Sequence, residues 1–265
     1  MYTLLYAQNF KGHEKKITIE PASHTLQIGE TLEYSIEWLG IPSGKVTMTV
    51  AGIEKVDGFD CYHIVCKAMP NKFFRMFYDT EYKLDSYIDT KELYSRRFEK
   101  VRRLNDLTLY ETTTYDQEKH EARYTSYSPK GPVDTVTFLS KQKTKVGNTT
   151  TTKQILENTQ DLLSTFYYFR LHPINEKQQY VINVEYGEPY PLTVKAGKPF
   201  WKDMRKKGTF PVFEIFLDSK LIPDILGKRK ISVYMTTDGR RMPLLFSLQT
   251  NIGAIQGMLQ NPPAQ

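Results

Sequence analysis

The sequence predicts a mainly β protein: an antiparallel, curved sheet forming an open or closed barrel, with one main helix packed on it or plugging it. Three observations predict this class. From Leu32 to Leu248 apolar side chains recur at every second position, which puts one face of each segment in a core and the other in water. Tyr (18) and Phe (14) are abundant, and flat, bulky rings pack well on a pleated surface. A single stretch near Leu162 changes to helical spacing.

The clearest strand covers residues 31–38, where Leu32, Tyr34, Ile36 and Trp38 alternate with Thr31, Glu33, Ser35 and Glu37. Residues 40–44 (GIPSG) turn the chain. Val46, Met48 and Val50 mark a second strand, and Asp57-Gly58 a turn. Tyr62, Ile64, Cys66 and Ala68 form the apolar face of a third, with His63 opposite. Phe74, Met76, Tyr78, Tyr82 and Leu84 share parity, so the meander is expected to continue through 74–84. Residues 93–101 read as a strand with Arg97 and Glu99 on its solvent side. Leu107, Leu109 and Tyr115 mark another, and 122–127 a weaker one. Such a run of antiparallel strands curves to hide its edges.

Residues 141–153 (KQKTKVGNTTTTK) lack period and read as a loop. The helix is expected over about 158–171, with Asn158 as N-cap, Asp161 three residues on, and Pro173 as its stop. Strands resume at Tyr180, Ile182, Val184 and Tyr186, then at Leu192, Val194 and Ala196, then at Phe213, Ile215 and Leu217. Ile231, Val233 and Met235 face Leu244, Phe246 and Leu248 across the hairpin turn at 237–240. The expected organisation is an N-terminal extension (1–24), one β-rich domain (25–260) and a frayed tail (261–265). The extension has a short apolar stretch without a basic leader. It reads as the remnant of an export signal or as the product of a start placed too late.

A net charge of +6 and a pI near 9.0 suit an anionic partner, although the two signs are interleaved as on an ordinary solvated surface. The densest basic groups are Arg96, Arg97, Lys100, Arg102 and Arg103, and Lys202, Arg205, Lys206 and Lys207. Neither sits in a nucleic-acid motif, so no nucleic-acid partner is expected. Nor is a membrane-spanning helix expected, because no run of about 18 apolar residues occurs. Cys61 and Cys66, five apart on a strand, point to opposite faces and are not expected to pair.

Catalytic motifs are missing: no GxSxG, Walker loop, GxGxxG or HExxH. The five histidines lack ligand spacing. Glu33 and Glu37 share a strand face, but the wet one. No catalytic residue, metal or cofactor is therefore expected. The aromatics serve either as plain core or as the lining of an apolar cavity under the helix. Arg170 closes an apolar helix segment (YYFR), where an arginine either locks a carboxylate or meets an anionic headgroup. Arg240 and Arg241 have the same two options. The candidate ligand-binding set is Tyr34, Trp38, Tyr78, Tyr168, Arg170, Arg240 and Arg241.

Three segments, Gly29 to Val50 (GETLEYSIEWLGIPSGKVTMTV), Asp161 to Pro173 (DLLSTFYYFRLHP) and Lys230 to Leu259 (KISVYMTTDGRRMPLLFSLQTNIGAIQGML), resemble domain-of-unknown-function family 3108 in order and spacing. Trp38, Gly40, Ile41, Gly44, Asp161, Tyr168, Arg170, Asp238, Arg240, Arg241 and Pro243 occupy the positions that carry the likeness. The resemblance implies a bacterial protein exported to the periplasm, a β-rich barrel-like fold and no established reaction. The expected function is a non-catalytic binding or chaperone-like module for an apolar, lipid-like or anionic envelope-glycan ligand. The alternatives are a structural or interaction protein of the envelope, using a sheet face or edge, and an envelope hydrolase. For the hydrolase, Asp161 with Arg170 or Arg241 is the group to inspect.

Overall fold

The computed structural model describes residues 17–23, 25–76, 80–104, 107–136, 143–176, 178–185, 189–218, 230–250 and 253–262. Strands β1 (Thr31–Trp38), β2 (Ile41–Val56), β3 (Phe59–Pro70), β4 (Thr80–Asp89), β5 (Ser95–Leu104), β6 (Leu107–Asp116) and β7 (Glu121–Tyr127) form an antiparallel meander. A separate hairpin, β8 (Val133–Val136) with β9 (Lys143–Val146), precedes β10 (Thr149–Gln154), which pairs with β7. The second half supplies β11 (Gln179–Glu185), β12 (Pro189–Ala196), β13 (Phe200–Asp203), β14 (Thr209–Asp218), β15 (Lys230–Thr236), β16 (Pro243–Thr250) and β17 (Gly253–Leu259). Pairing of β17 with β1 fuses both halves into one sheet in the order β10-β7-β6-β5-β4-β3-β2-β1-β17-β16-β15-β14-β12-β11, with β13 beside β14.

The sheet is open, but the chain between β10 and α2 (Leu162–Leu171) bridges its two ends. Ile155 N–H donates to His120 O, and Ser95 N–H to Thr159 O. Gln160 forms a parallel bridge with Val184 on the edge strand β11. Tyr115 Oη, on β6, reaches Glu185 Oε2 at 3.1 Å.

α2 is the plug. Leu163, Ser164, Thr165, Tyr167, Phe169, Arg170 and Leu171 are all buried, so the helix is enclosed over most of its circumference, with Leu162 exposed at its first turn. Leu163, Tyr167 and Leu171 join the core built on Leu32, Tyr34, Val50 and Ile64. Phe169 joins a second core with Ile182, Val194, Phe213, Ile215 and Met235. Close packing recurs at Gly257, where a Cβ would meet the Phe246 ring at 2.0 Å, so that ring lies flat on bare backbone beside Tyr34.

Three expectations need correction. The helix starts at Leu162, with Asp161 and not Asn158 as its N-cap. Asp161 accepts from Leu163 N and Ser164 N, and Ser164 Oγ returns a bond to the Asp161 amide. Asn158 instead adopts a left-handed turn conformation, φ +53°. The segment 74–84 is not one strand. Asn71 caps a helical turn, α1 (Lys72–Arg75), and β4 begins only at Thr80. Within the expected loop 141–153, residues 143–146 and 149–154 are strands. The threonine run favours extended backbone, and β10 is exposed on both faces, which erases the alternation. At the start of the expected tail, the Asn261 side chain bonds Glu33 N and Thr31 O on β1; residues 263–265 lie outside the described residues. The two cysteines are free and buried in different clusters, on opposite faces of β3 as expected. Among the described residues, no helix is long and apolar enough to cross a membrane.

Candidate functional site

The two ends of the curved sheet differ. Along β2 the inward side chains pass from half-buried Val46 to fully buried Val50. Along β3 they pass from Ala68 to Ile64; along β4 Tyr82 and Leu84 are half-buried between buried Thr80 and buried Ser86. The buried end is the one α2 fills. The other end, where β1 and β3 finish and β2 and β4 begin, forms on its β1–β3 side a cup of half-buried side chains, while Thr80 and Arg102 on its β4–β5 side are buried.

Its rim is apolar. Leu39, Ile41, Phe73 and Met76 are each between 55% and 79% exposed. Leu39 and Gly40 form a two-residue turn with φ of +54° and +77°. That turn type prefers Asn, Asp or Gly, so a leucine there is held against its backbone preference. Leu39 lies against the bare face of Gly253, where a Cβ would come within 1.9 Å. Phe73 and Phe74 come from α1, which the Asn71 side chain ties to Pro42 O. Phe74 packs on Trp38, ring centroids 6.2 Å apart, and on Phe73 at 5.6 Å.

On the β4–β7 side the inward face turns polar. Lys100 and Arg102 share inward parity with Phe98. Lys100 stands opposite Leu84 and Glu111, and Arg102 opposite Tyr82 and Leu109. Lys100 Nζ pairs with Glu111 Oε2 at 2.7 Å, and Tyr124 Oη donates to Glu111 Oε1 at 2.7 Å. Burial, then the Glu111 charge, pushes the Tyr124 phenol up, and Arg102 opposes the shift. Arg102 is 6% exposed, yet its Nε has no hydrogen-bond partner among the described residues and no ion pair there includes it. Thr80 Oγ1, on the same inward face, is likewise buried without a partner among them.

The structure distributes the sequence-derived set. Trp38 lies at the open end. Tyr34, Arg170 and Arg241 are built into the plugged end. Tyr34 Oη donates to Pro243 O at 2.7 Å, and its ring meets Phe166 and Phe246. Arg170 forms a bidentate ion pair with Glu30 at 2.5 and 2.8 Å, and its Nε reaches Arg240 O. Arg241 donates to the carbonyls of Phe169, His172 and Glu20, pinning the C-terminal end of α2. Arg240 is exposed and paired with Asp238. Tyr168 is half-buried and stacks on His172 at 4.5 Å. Tyr78 lies outside the described residues.

Asp161, Arg170 and Arg241 do not assemble into one group. Asp161 and Arg170 are separated by about 13 Å along the helix axis. The Asp161 carboxylate is bonded by Ser86 and Ser95 as well as by its own helix. On the outer face, both His63 ring nitrogens are committed to carboxylates, Glu54 at 2.7 Å and Asp85 at 2.9 Å. Among the described residues, no group of three or more His, Cys, Asp or Glu is placed to hold a metal ion.

Sequence reasoning noted Lys100 and Arg102 only as part of a basic cluster. Their shared parity with Phe98 was the available signal. The exposed rim at Phe73 and Met76 was hidden by assigning that segment to a strand.

A model of the family described as "Protein of unknown function (DUF3108)" matches residues 33–260. No curated protein matches the chain. Among solved structures, the chain is similar to a β-barrel-like protein of domain of unknown function DUF1849 from Brucella abortus. The likeness has 10% identity over 86% of this chain and 94% of that one, with a TM-score of 0.47.

Proposed function

We propose that this chain, which belongs to the DUF3108 family of proteins of unknown function, is an exported, non-catalytic binding module that holds an amphipathic, lipid-like molecule in the open end of its cup. The observation that carries this is the continuous apolar path from the exposed rim to the interior. It runs from Leu39, Ile41, Phe73 and Met76 through Trp38 and Phe74 to the half-buried Ile36, Val46 and Leu84. Clustered exposed apolar side chains mark a surface that meets an apolar partner, and a concave one suits a ligand chain. Two features support a holding role over a chemical one. Glu111 is committed to Lys100 and Tyr124, and Asp161 to two serines and its helix. Export to the periplasm follows from the family resemblance, and a chaperone-like carrier is the same geometry in transit.

The test is native mass spectrometry of the protein purified from an envelope extract without detergent. The expected result is a lipid-sized adduct lost on mild activation. A wholly adduct-free protein that also takes up no added amphiphile would contradict the proposal, and a purely saccharide adduct would replace lipid with glycan.

A second reading draws on β10, an edge strand of the main sheet whose six residues are all exposed. Such an edge can add a partner's strand. A bound polypeptide in the same spectra would favour an interaction protein of the envelope.

A further inference from the structure

A guanidinium stays charged at every pH a protein meets, so a buried arginine needs an anion or a full set of acceptors. The other three buried arginines among the described residues have an anion or several acceptors. Arg96 has Asp89, Arg170 has Glu30, and Arg241 has three backbone carbonyls on its terminal nitrogens, its Nε being without a partner among the described residues. Arg102 does not. Its nearest inward charges are already matched, since Lys100 is neutralised by Glu111, which also accepts from Tyr124. Among the described residues the polar wall of the cup is therefore left with an unmatched positive charge at Arg102. Thr80 on the same inward face adds a hydroxyl without a partner among the described residues.

We propose that Arg102 is the counter-ion for the anionic end of the bound amphiphile, a phosphate or carboxylate, with Thr80 as a second donor and the acyl chain running to the Trp38–Phe74 rim. This inference rests on the container proposal above and adds the head-group class to it. Arg102 lies near the end of β5 and Thr80 at the start of β4, both buried and both at the end of the sheet away from α2. A fork of N–H donors matches two oxygens of one anion. Burial strengthens that pairing, because little water competes for it.

The experiment measures binding of three probes to the delipidated full chain by calorimetry: monooleoyl lysophosphatidate, monooleoylglycerol and inorganic phosphate. The variants are Arg102→Met, Arg102→Lys and, on the exposed outer side of the same strand, Arg103→Met. The expected result is that Arg102→Met weakens lysophosphatidate about tenfold or more, the size of a lost charge-assisted bidentate pair. Arg102→Lys should weaken it less, while Arg103→Met and all monooleoylglycerol affinities stay unchanged. Arg102→Met should fold at least as stably as the parent without ligand, since it removes an unpaired buried charge. Equal affinity for the charged and neutral lipids, unaffected by Arg102→Met, would overturn the head-group assignment and leave the container standing. Inorganic phosphate binding as tightly as the lysolipid would overturn the amphiphile in favour of a free anion. Failure of both lipids to bind would overturn the container itself.

Discussion

Gln117 and Thr159 exchange a reciprocal pair of hydrogen bonds. Gln117 Nε2 donates to Thr159 O at 3.0 Å, and Thr159 N–H donates to Gln117 Oε1 at 3.1 Å. A further bond from Gln117 Nε2 reaches Ser95 O at 2.8 Å. One buried side-chain amide thus stitches the linker before α2 to the strands of the first half. Since Gln160, the next residue, bridges to β11, this stitch holds the seam where the open sheet meets itself.

Gln117→Leu should strand those backbone groups in the interior and destabilise the protein by about 1–3 kcal/mol. The loss should be local first. Hydrogen exchange at the amides of Gln160 and Glu185, both bonded across the seam, should accelerate more than exchange in β2 and β3. Uniform acceleration across the sheet would show that the seam is not a separate unit.

Arg170 and Glu30 are 4% and 13% exposed at their side chains and bond through two oxygens. Removing one member of a buried pair leaves the other charged and uncompensated. Arg170→Met is expected to cost about 3–5 kcal/mol in urea unfolding. Glu30→Gln should also destabilise, and the double variant should cost clearly less than the two single losses added. Strict additivity would mean that the two groups do not depend on each other.

Asp161 is fully buried, and burial raises its carboxyl above the usual range despite four donors from Ser86, Ser95, Leu163 and Ser164. A raised folded-state value favours the protonated form. Its contribution to stability is complete below the unfolded value of about 3.9 and is lost as pH rises through the folded one. Asp161→Asn keeps an N-cap oxygen and cannot ionise. Unfolding free energies measured across a pH series should therefore show the variant gaining on the parent as pH rises from the unfolded value through the folded one, and keeping a constant difference above it. A difference independent of pH would contradict the assignment.

Much of the fold was legible because half-buried strands advertise themselves. Leu32, Tyr34 and Ile36, or Ile182 and Val184, announce a face that no turn chemistry imitates. The exceptions have physical reasons. Asn158 and Asp161 are both capping residue types. Ser164 completes the capping box at Asp161, and the distant Ser86 and Ser95 hold its carboxylate, which local sequence does not reveal. Phe74 and Met76 keep the parity of a strand while belonging to a helical turn and its end. Arg170 invited two readings, and only the position of Glu30, 140 residues away, shows it locking a carboxylate. The inward aim of Lys100 and Arg102 was readable from Phe98. Their significance depends on where the plug stops, which is a tertiary fact.

The central claim is that an apolar chain occupies the open end of the cup, and the two tryptophans report on it separately. Trp38 faces that end, whereas Trp201, on β13 beside the start of β14, belongs to the plugged end. A lysolipid with bromine atoms on its acyl chain quenches indole emission on contact. With Trp38 as the sole tryptophan, in Trp201→Phe, the lysolipid should quench emission saturably. With Trp201 alone, in Trp38→Phe, emission should stay unchanged. Quenching of Trp201 equal to or stronger than that of Trp38, or no quenching of either, would contradict the account.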